Sequence, residues 1–142
     1  MNFPRILKKR KGYIDRIKPF MQKSVAKVLT GQRRVGKSFL LYQLIEEILA
    51  EEPDANIIYV NLEDFTFSSL QTAEDLHSYI ISHSKEKVKN YIFIDEIQDI
   101  PGFEKVIRSL LLNEDNDIYI TGSNAKMLSG ELATYLSGRY IE

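Results

Sequence analysis

The chain has 142 residues, of which 44% are apolar, and this length and composition suit a single globular domain of ordinary size. It contains no cysteine and only two histidines, His77 and His83, which excludes disulfide frameworks and thiolate metal sites and leaves little for a histidine-based one. The net charge of −1 is the sum of a basic and an acidic part. Residues 1–38 carry 12 Lys and Arg and one acid, whereas residues 39–142 carry 7 Lys and Arg and 19 acids.

The first 24 residues are predicted to form a basic, partly helical segment. They carry the run Lys8-Lys9-Arg10-Lys11, and residues 13–21 read as a short helix that ends near Pro19. Contact with nucleic acid and simple solvation both explain such a basic run, and both remain open. Neither a signal peptide nor an apolar stretch of about 18 residues is present. We therefore expect a cytoplasmic protein without a membrane span.

Strands and helices alternate over residues 25–142, which we predict to be one domain. An apolar strand over residues 25–30 leads into Gly31, and an apolar stripe at helical spacing predicts a helix from Lys37 to Ala50. The same alternation continues with strand 56–61, helix 72–84, strand 91–95, helix 103–112, strand 117–121 and helix 125–136. Apolar strands that alternate with helices indicate an α/β fold with a parallel sheet covered on both faces.

The segment from Gly31 to Ser38 matches the Walker A pattern G-x-x-x-x-G-K-[ST] at every fixed position, between a predicted strand and a predicted helix. Backbone N–H groups of such a loop cradle phosphate oxygens, and the following helix directs its positive end at them. Lys37 is expected to reach the β- and γ-phosphates, and the Ser38 hydroxyl to bind Mg²⁺. The predicted nucleotide-binding residues are Gly31, Gln32, Arg33, Arg34, Val35, Gly36, Lys37, Ser38 and Phe39.

The strand over residues 91–95 ends in two acids, Asp95 and Glu96. The first is placed to hold Mg²⁺ together with Ser38, and the second to activate an attacking water. A base-reading N-K-x-D segment is absent, which argues against a signalling GTPase. A small-molecule kinase normally lacks the second acid, so ATP hydrolysis is favoured over phosphotransfer.

Five further polar residues are weaker candidates. Ser123 and Asn124, in the stretch that begins at Thr121, could orient the water beside the γ-phosphate, although a turn with a helix N-cap explains them equally well. Arg139 is either an arginine finger for a neighbouring subunit or a surface arginine. The side chains of Asn61 and Glu63, after the second strand, could relay the nucleotide state to a partner.

The sequence resembles the AAA-superfamily ATPases of bacteria and archaea. The resemblance rests on residues 29–38, 94–98, 121–124 and 131–139, and it spans most of the chain from about Tyr13. It implies a three-layer P-loop NTPase fold of the additional-strand type with sheet order 5-1-4-3-2. It also implies that Asp95 and Glu96 are the metal-coordinating and catalytic acids.

Members of that family look longer than this chain, which stops where a fifth strand should begin. We therefore expect the fifth strand to be truncated or missing, and the chain to belong to a larger protein with a C-terminal domain. The sequence thus predicts an ATPase that uses ATP and Mg²⁺ to switch or drive an attached domain or partner, with a homo-oligomer as one possibility. The alternative is a nucleotide-gated binding module with little hydrolysis, associated with DNA through its basic part.

Overall fold

The computed structural model describes residues 26–30, 36–122 and 140–141. The predicted basic segment over residues 1–24 and the predicted helix over 125–136 lie outside these residues. In chain order the main elements are β1 (Ala26–Thr30), α1 (Lys37–Glu51), β2 (Asn56–Asn61), α2 (Ala73–His83), β3 (Asn90–Asp95), α3 (Phe103–Leu111), β4 (Asn116–Gly122) and β5 (Tyr140–Ile141). Two short 3₁₀ turns, Phe65–Phe67 and Ile97–Asp99, follow β2 and β3.

The strands form one parallel sheet in the spatial order β2-β3-β4-β1-β5. The predicted parallel α/β fold is confirmed for β1 to β4, whose order is 1-4-3-2. The fifth position, expected to be truncated or missing, holds the two residues of β5, which pair with Val28 and Leu29 of β1. Every residue of β3 and β4 is buried, because these strands are central and covered on both faces.

Alternate residues of each strand point to opposite faces, and this separates the core into two halves. The first half packs α2 and α3 against strand residues such as Ile92, Ile94 and Ile118. The second half packs the apolar stripe of α1, including Leu41 and Leu44, against the other face. The described part of the chain therefore forms the three layers that the sequence predicts.

Local signals explain where the helices begin and end. Helix α1 ends at Glu51, and the N–H of Glu52 donates to the carbonyl of Ile48 at 2.8 Å, just before Pro53. A proline disfavours helical backbone in the residue before it, so the helix stops there. Helix α2 begins after Thr72, whose hydroxyl accepts a hydrogen bond from the N–H of Asp75 at 3.1 Å.

Candidate functional site

The carboxyl ends of three adjacent parallel strands form one edge of the sheet. In the register of β1 and β4, Leu29 lies opposite Thr121, and in that of β3 and β4, Ile94 lies opposite Ile120. Asp95, the last residue of β3, therefore reaches the same edge as Thr121. Ligands of open parallel sheets bind outside this edge, so the site is where the fold predicts it.

Gly36 connects the predicted phosphate loop to the first turn of α1. Its backbone is left-handed, with φ of 78° and ψ of 28°, a conformation that glycine adopts without steric cost. Among the described residues, no side chain caps this helix start and no acid lies in its first turn. The N–H groups at this helix start are therefore not occupied by a side-chain cap, which suits them to binding an anion.

Ser38 and Asp95 are brought into direct contact across 57 positions of sequence, with the serine hydroxyl donating to carboxylate Oδ2. Asp95 is 1% exposed. Its other oxygen, Oδ1, accepts a hydrogen bond from the Thr121 hydroxyl. The carboxylate is thus oriented from both sides, by the start of α1 and by the end of β4.

Glu96, the predicted water-activating residue, directly follows this carboxylate and is 6% exposed. Its backbone is left-handed, with φ of 60° and ψ of 51°, which is uncommon for a residue with a side chain. The Glu96 N–H donates to the Thr121 hydroxyl oxygen at 2.9 Å, and its carboxylate accepts from the Gln98 amide at 2.9 Å. One threonine hydroxyl therefore contacts both members of the acidic pair.

The chemistry of this donor set fits Mg²⁺. A serine hydroxyl and a carboxylate are hard oxygen ligands, and Mg²⁺ is usually held by one or two such groups together with substrate phosphates and waters. Within residues 26–30, 36–122 and 140–141, no group of three or more His, Cys, Asp or Glu side chains could hold a metal by itself. Ser38 and Asp95 together offer one hydroxyl and one carboxylate of this kind.

The outer side of the site is formed by β2. Asn61 lies opposite Asp95 in the register of β2 and β3, and its Oδ1 accepts from the N–H of Glu63 at 3.0 Å. Two residues earlier, burial raises the pKa of Tyr59 above its ordinary value, and the hydroxyl of Tyr42 and the charge of Asp95 add to the rise. Of the two predicted relay residues, Asn61 thus lies beside Asp95, and Glu63 lies in the exposed loop that follows.

The structure places some of the predicted site residues together and leaves others undescribed. Gly36, Lys37, Ser38 and Phe39 form the start of α1, and the Ser38 hydroxyl contacts Asp95. Phe39 is 44% exposed and meets the ring of Tyr42 edge-on at 6.2 Å. The remaining predicted residues lie outside the described part of the chain: Gly31, Gln32, Arg33, Arg34, Val35, Ser123, Asn124 and Arg139.

Two contacts within the site were not predicted. The sequence pattern placed the stretch that begins at Thr121 beside the γ-phosphate, whereas the Thr121 hydroxyl contacts Asp95 and the backbone of Glu96. Its position as the last inward-facing polar residue of a buried strand is the one signal that indicates such a role. Gln98 carries no such signal. Its approach to Glu96 depends on the left-handed backbone of Glu96 and on the 3₁₀ turn that contains Gln98.

A parallel sheet that carries a glycine turn, an uncapped helix start and a Ser–Asp pair at its carboxyl edge defines a P-loop nucleotide-binding domain. Residues 23–142 match the family described as AAA domain. The chain belongs to this family, and its membership indicates a nucleotide-binding function of the ATPase type.

Two relatives are much longer than this chain. An uncharacterised protein of Haemophilus influenzae is 42% identical over 140 residues, which cover 94% of this chain and 34% of the relative. The uncharacterised protein MJ1544 of Methanocaldococcus jannaschii is 37% identical over 117 residues, which cover 82% and 25%. The chain therefore spans about a third of the length of the first relative and a quarter of that of the second.

The fold is also similar to that of Saccharomyces cerevisiae RIF2. Its crystal structure matches with a TM-score of 0.59 at 13% identity, covering 92% of this chain and 53% of that protein. At this identity the likeness shows the fold alone.

No helix in the described part of the chain has the length and apolar character needed to cross a membrane.

Proposed function

We propose that this chain binds ATP with Mg²⁺ and hydrolyses it, and that the cycle switches or drives an attached domain or a partner. The observation that carries the proposal is the contact of the Ser38 hydroxyl with the Asp95 carboxylate. It joins the end of the predicted phosphate loop to the acidic end of β3, which is the pairing a Mg-nucleotide site needs. The order of the sheet, with β1 beside β4 and β4 beside β3, supports a fold of the additional-strand type.

The residues divide the work of binding in this proposal. The loop over residues 31–36 and the start of α1 hold the phosphates through backbone N–H groups, and Lys37 neutralises part of their charge. Ser38 and Asp95 would hold Mg²⁺, which when bound would stabilise negative charge on the phosphates. Both protein ligands are already oriented by hydrogen bonds, so little ordering is required when the nucleotide binds.

Glu96 performs the proton transfer of hydrolysis. The oxygen of a water forms a bond to the γ-phosphorus while Glu96 accepts a proton from that water. The bond from the γ-phosphorus to the bridging oxygen breaks, and the electron pair leaves with ADP. Glu96 directly follows Asp95 and is 6% exposed. This burial supports the role, because bulk water has little access to a buried base.

Replacing the base tests hydrolysis. We expect Glu96→Gln to lower kcat for ATP by about 100-fold or more, since the amide cannot accept the proton, while the dissociation constant for ATP stays within about twofold. Phosphate release and binding of a fluorescent ATP analogue measure the two quantities. Asp99→Asn, an acid-to-amide change at an exposed position three residues away, is the matched control and should leave kcat unchanged. Wild-type turnover in Glu96→Gln would remove Glu96 from the catalytic role.

Replacing the loop lysine tests binding. We expect Lys37→Ala to weaken ATP binding by about 100-fold or more, because a charged donor to the phosphates is lost. Isothermal titration with ATP and Mg²⁺ measures the affinity. Lys105→Ala, at an exposed position near the start of α3, is the control and should bind normally. Equal affinity in the two variants would contradict the phosphate-binding assignment.

A second function, a nucleotide-gated module that contacts nucleic acid, is favoured by the charge distribution alone. Residues 1–38 carry 12 of the 19 Lys and Arg in the chain. Phosphate contacts make the logarithm of affinity fall steeply with the logarithm of salt concentration. Filter binding of duplex DNA between about 50 and 200 mM salt tests this function. A flat dependence or no binding would contradict it.

A further inference from the structure

The backbone of Glu96 is fixed at both of its polar groups. Its N–H donates to the Thr121 hydroxyl oxygen at 2.9 Å, and its carbonyl accepts from the N–H of Asp99 at 3.2 Å. These two bonds hold a residue with a side chain at φ of 60°, a region where such residues persist when the surroundings over-determine them. Only the rotations of its side chain are left to set where the carboxylate points.

The carboxylate is in turn held by a neutral donor. Gln98 Nε2 donates to Glu96 Oε1 at 2.9 Å, within the normal range of an N–H···O bond. A contact between residues two positions apart is possible here because the left-handed backbone of Glu96 leads directly into the 3₁₀ turn Ile97–Asp99. The amide restricts the carboxylate without placing a positive charge beside it.

The turn that carries Gln98 is itself anchored in the core. Ile97 is 0% exposed and Ile100 is 2% exposed, and both belong to the core half that α2 and α3 cover. Gln98 lies between these two anchors in the sequence, and its side chain is part-buried. Its amide therefore starts from a fixed backbone position, which is what a group that orients another requires.

We propose that Gln98 is a positioning residue that orients the Glu96 carboxylate for proton abstraction from the attacking water. The inference rests on the proposed function, in which Glu96 is the base. A catalytic base is commonly oriented by a third group, and a misplacement of about 1 Å can cost about 100-fold in rate. With Oε1 bound to the amide, the carboxylate can no longer turn freely about its terminal bond, so the direction of its second oxygen is set before water arrives.

Two substitutions remove the donor while preserving the size of the side chain. Gln98→Met is apolar, and Gln98→Glu is isosteric but offers no N–H at neutral pH. In the complete protein, we expect both to lower kcat by about 10- to 100-fold, with KM and the dissociation constant for ATP within about twofold of the wild type. Gln71→Met, the same chemical change in an exposed loop, is the control and should retain wild-type kcat.

A double variant separates orientation of the base from support of the turn. Once Glu96→Gln has removed the base, adding Gln98→Met should reduce the residual turnover by less than about twofold, because residues that act as a unit are not additive. A merely structural role predicts instead that Gln98→Met lowers the melting temperature, raises KM and reduces turnover in both backgrounds.

The outcomes keep the two proposals apart. Unchanged kcat in Gln98→Met and Gln98→Glu, or an equal loss in the Glu96→Gln background, would overturn the inference on Gln98 while leaving Glu96 as the base. Full turnover in Glu96→Gln would instead overturn the assignment of the base, and the inference on Gln98 with it.

Discussion

At the scale of single residues, Thr121 joins the two acids of the site. Its hydroxyl donates to Asp95 Oδ1 and accepts from the N–H of Glu96 at 2.9 Å, and its side chain is buried at 0% exposure. The single oxygen atom of a hydroxyl can donate and accept at once. The oxygen atom of an amide or of a carboxylate can only accept. A single side chain therefore sets both the orientation of the Asp95 carboxylate and the backbone of Glu96.

Replacing Thr121 by valine, which has nearly the same shape, should damage stability and turnover together. The buried N–H of Glu96 loses its acceptor, and such a group costs about 1–3 kcal/mol. We expect the urea midpoint to fall with an unchanged slope, and kcat to fall by about tenfold or more as Asp95 and Glu96 lose their shared partner. Thr121→Ser keeps the hydroxyl and should retain most of both. A valine variant with wild-type stability and rate would show that the hydroxyl is dispensable.

At the scale of elements, hydrogen bonds at the start of α2 hold the two residues that precede the helix. The Thr72 hydroxyl accepts from the N–H of Asp75, while the Asp75 carboxylate accepts from the N–H groups of Thr72 and Gln71, all at 3.1 Å. These bonds to backbone N–H groups lower the pKa of Asp75 below its ordinary value. The stabilisation is present above the ordinary pKa of aspartate and is lost as pH falls through the lowered value.

Removal of this cap should weaken the helix. We expect Thr72→Ala to lower the free energy of unfolding by about 1 kcal/mol, because one N–H at the start of α2 loses its acceptor. Urea denaturation at neutral pH measures the loss, and Thr72→Ser should show almost none of it. If the alanine and serine variants were equally stable, the side-chain cap would contribute nothing.

At the scale of the whole molecule, a buried ion pair ties β1 to β4. Lys27 Nζ contacts Asp117 Oδ1, and both residues are 0% exposed. Asp117 Oδ2 also accepts from the Tyr119 hydroxyl at 2.8 Å, and the Lys27 ammonium lies 4.7 Å from the centre of the Tyr119 ring. Burial lowers the pKa of Lys27, and the nearby charge of Asp117 opposes that change. Each charge is therefore tolerated in the core because the other is present.

Breaking this pair from one side should be more harmful than removing both charges. We expect Lys27→Met to lower the free energy of unfolding by about 3–5 kcal/mol, since it leaves the Asp117 charge uncompensated in the core. Adding Asp117→Asn, whose side chain can still accept from the Tyr119 hydroxyl, should restore at least about half of the loss. Chemical denaturation of the single and double variants checks this. A double variant that is less stable than Lys27→Met would contradict the explanation.

Within the described residues, element types followed from the sequence, whereas several element ends did not. The strand over residues 56–61 is where the pattern places it, and helix α1 extends one residue beyond its predicted end. Strand β3 begins one residue earlier than predicted, at Asn90, a polar residue that is 0% exposed. Its Oδ1 accepts from the Asn56 amide at 2.7 Å and from the N–H of Lys85 at 2.9 Å. A polar residue reads as the end of an apolar run unless its partners are known.

The sequence by itself determined the alternation of elements, the parallel sheet and the identity of Ser38, Asp95 and Glu96 as candidates. These properties depend on apolar periodicity and on a contiguous motif, both of which are local along the chain. Only the tertiary structure decided the partners of buried polar groups: Thr121 with Asp95, Gln98 with Glu96, and Lys27 with Asp117. Those pairings follow from strand order and backbone conformation, because a buried polar group must find its partner wherever the fold brings one within reach.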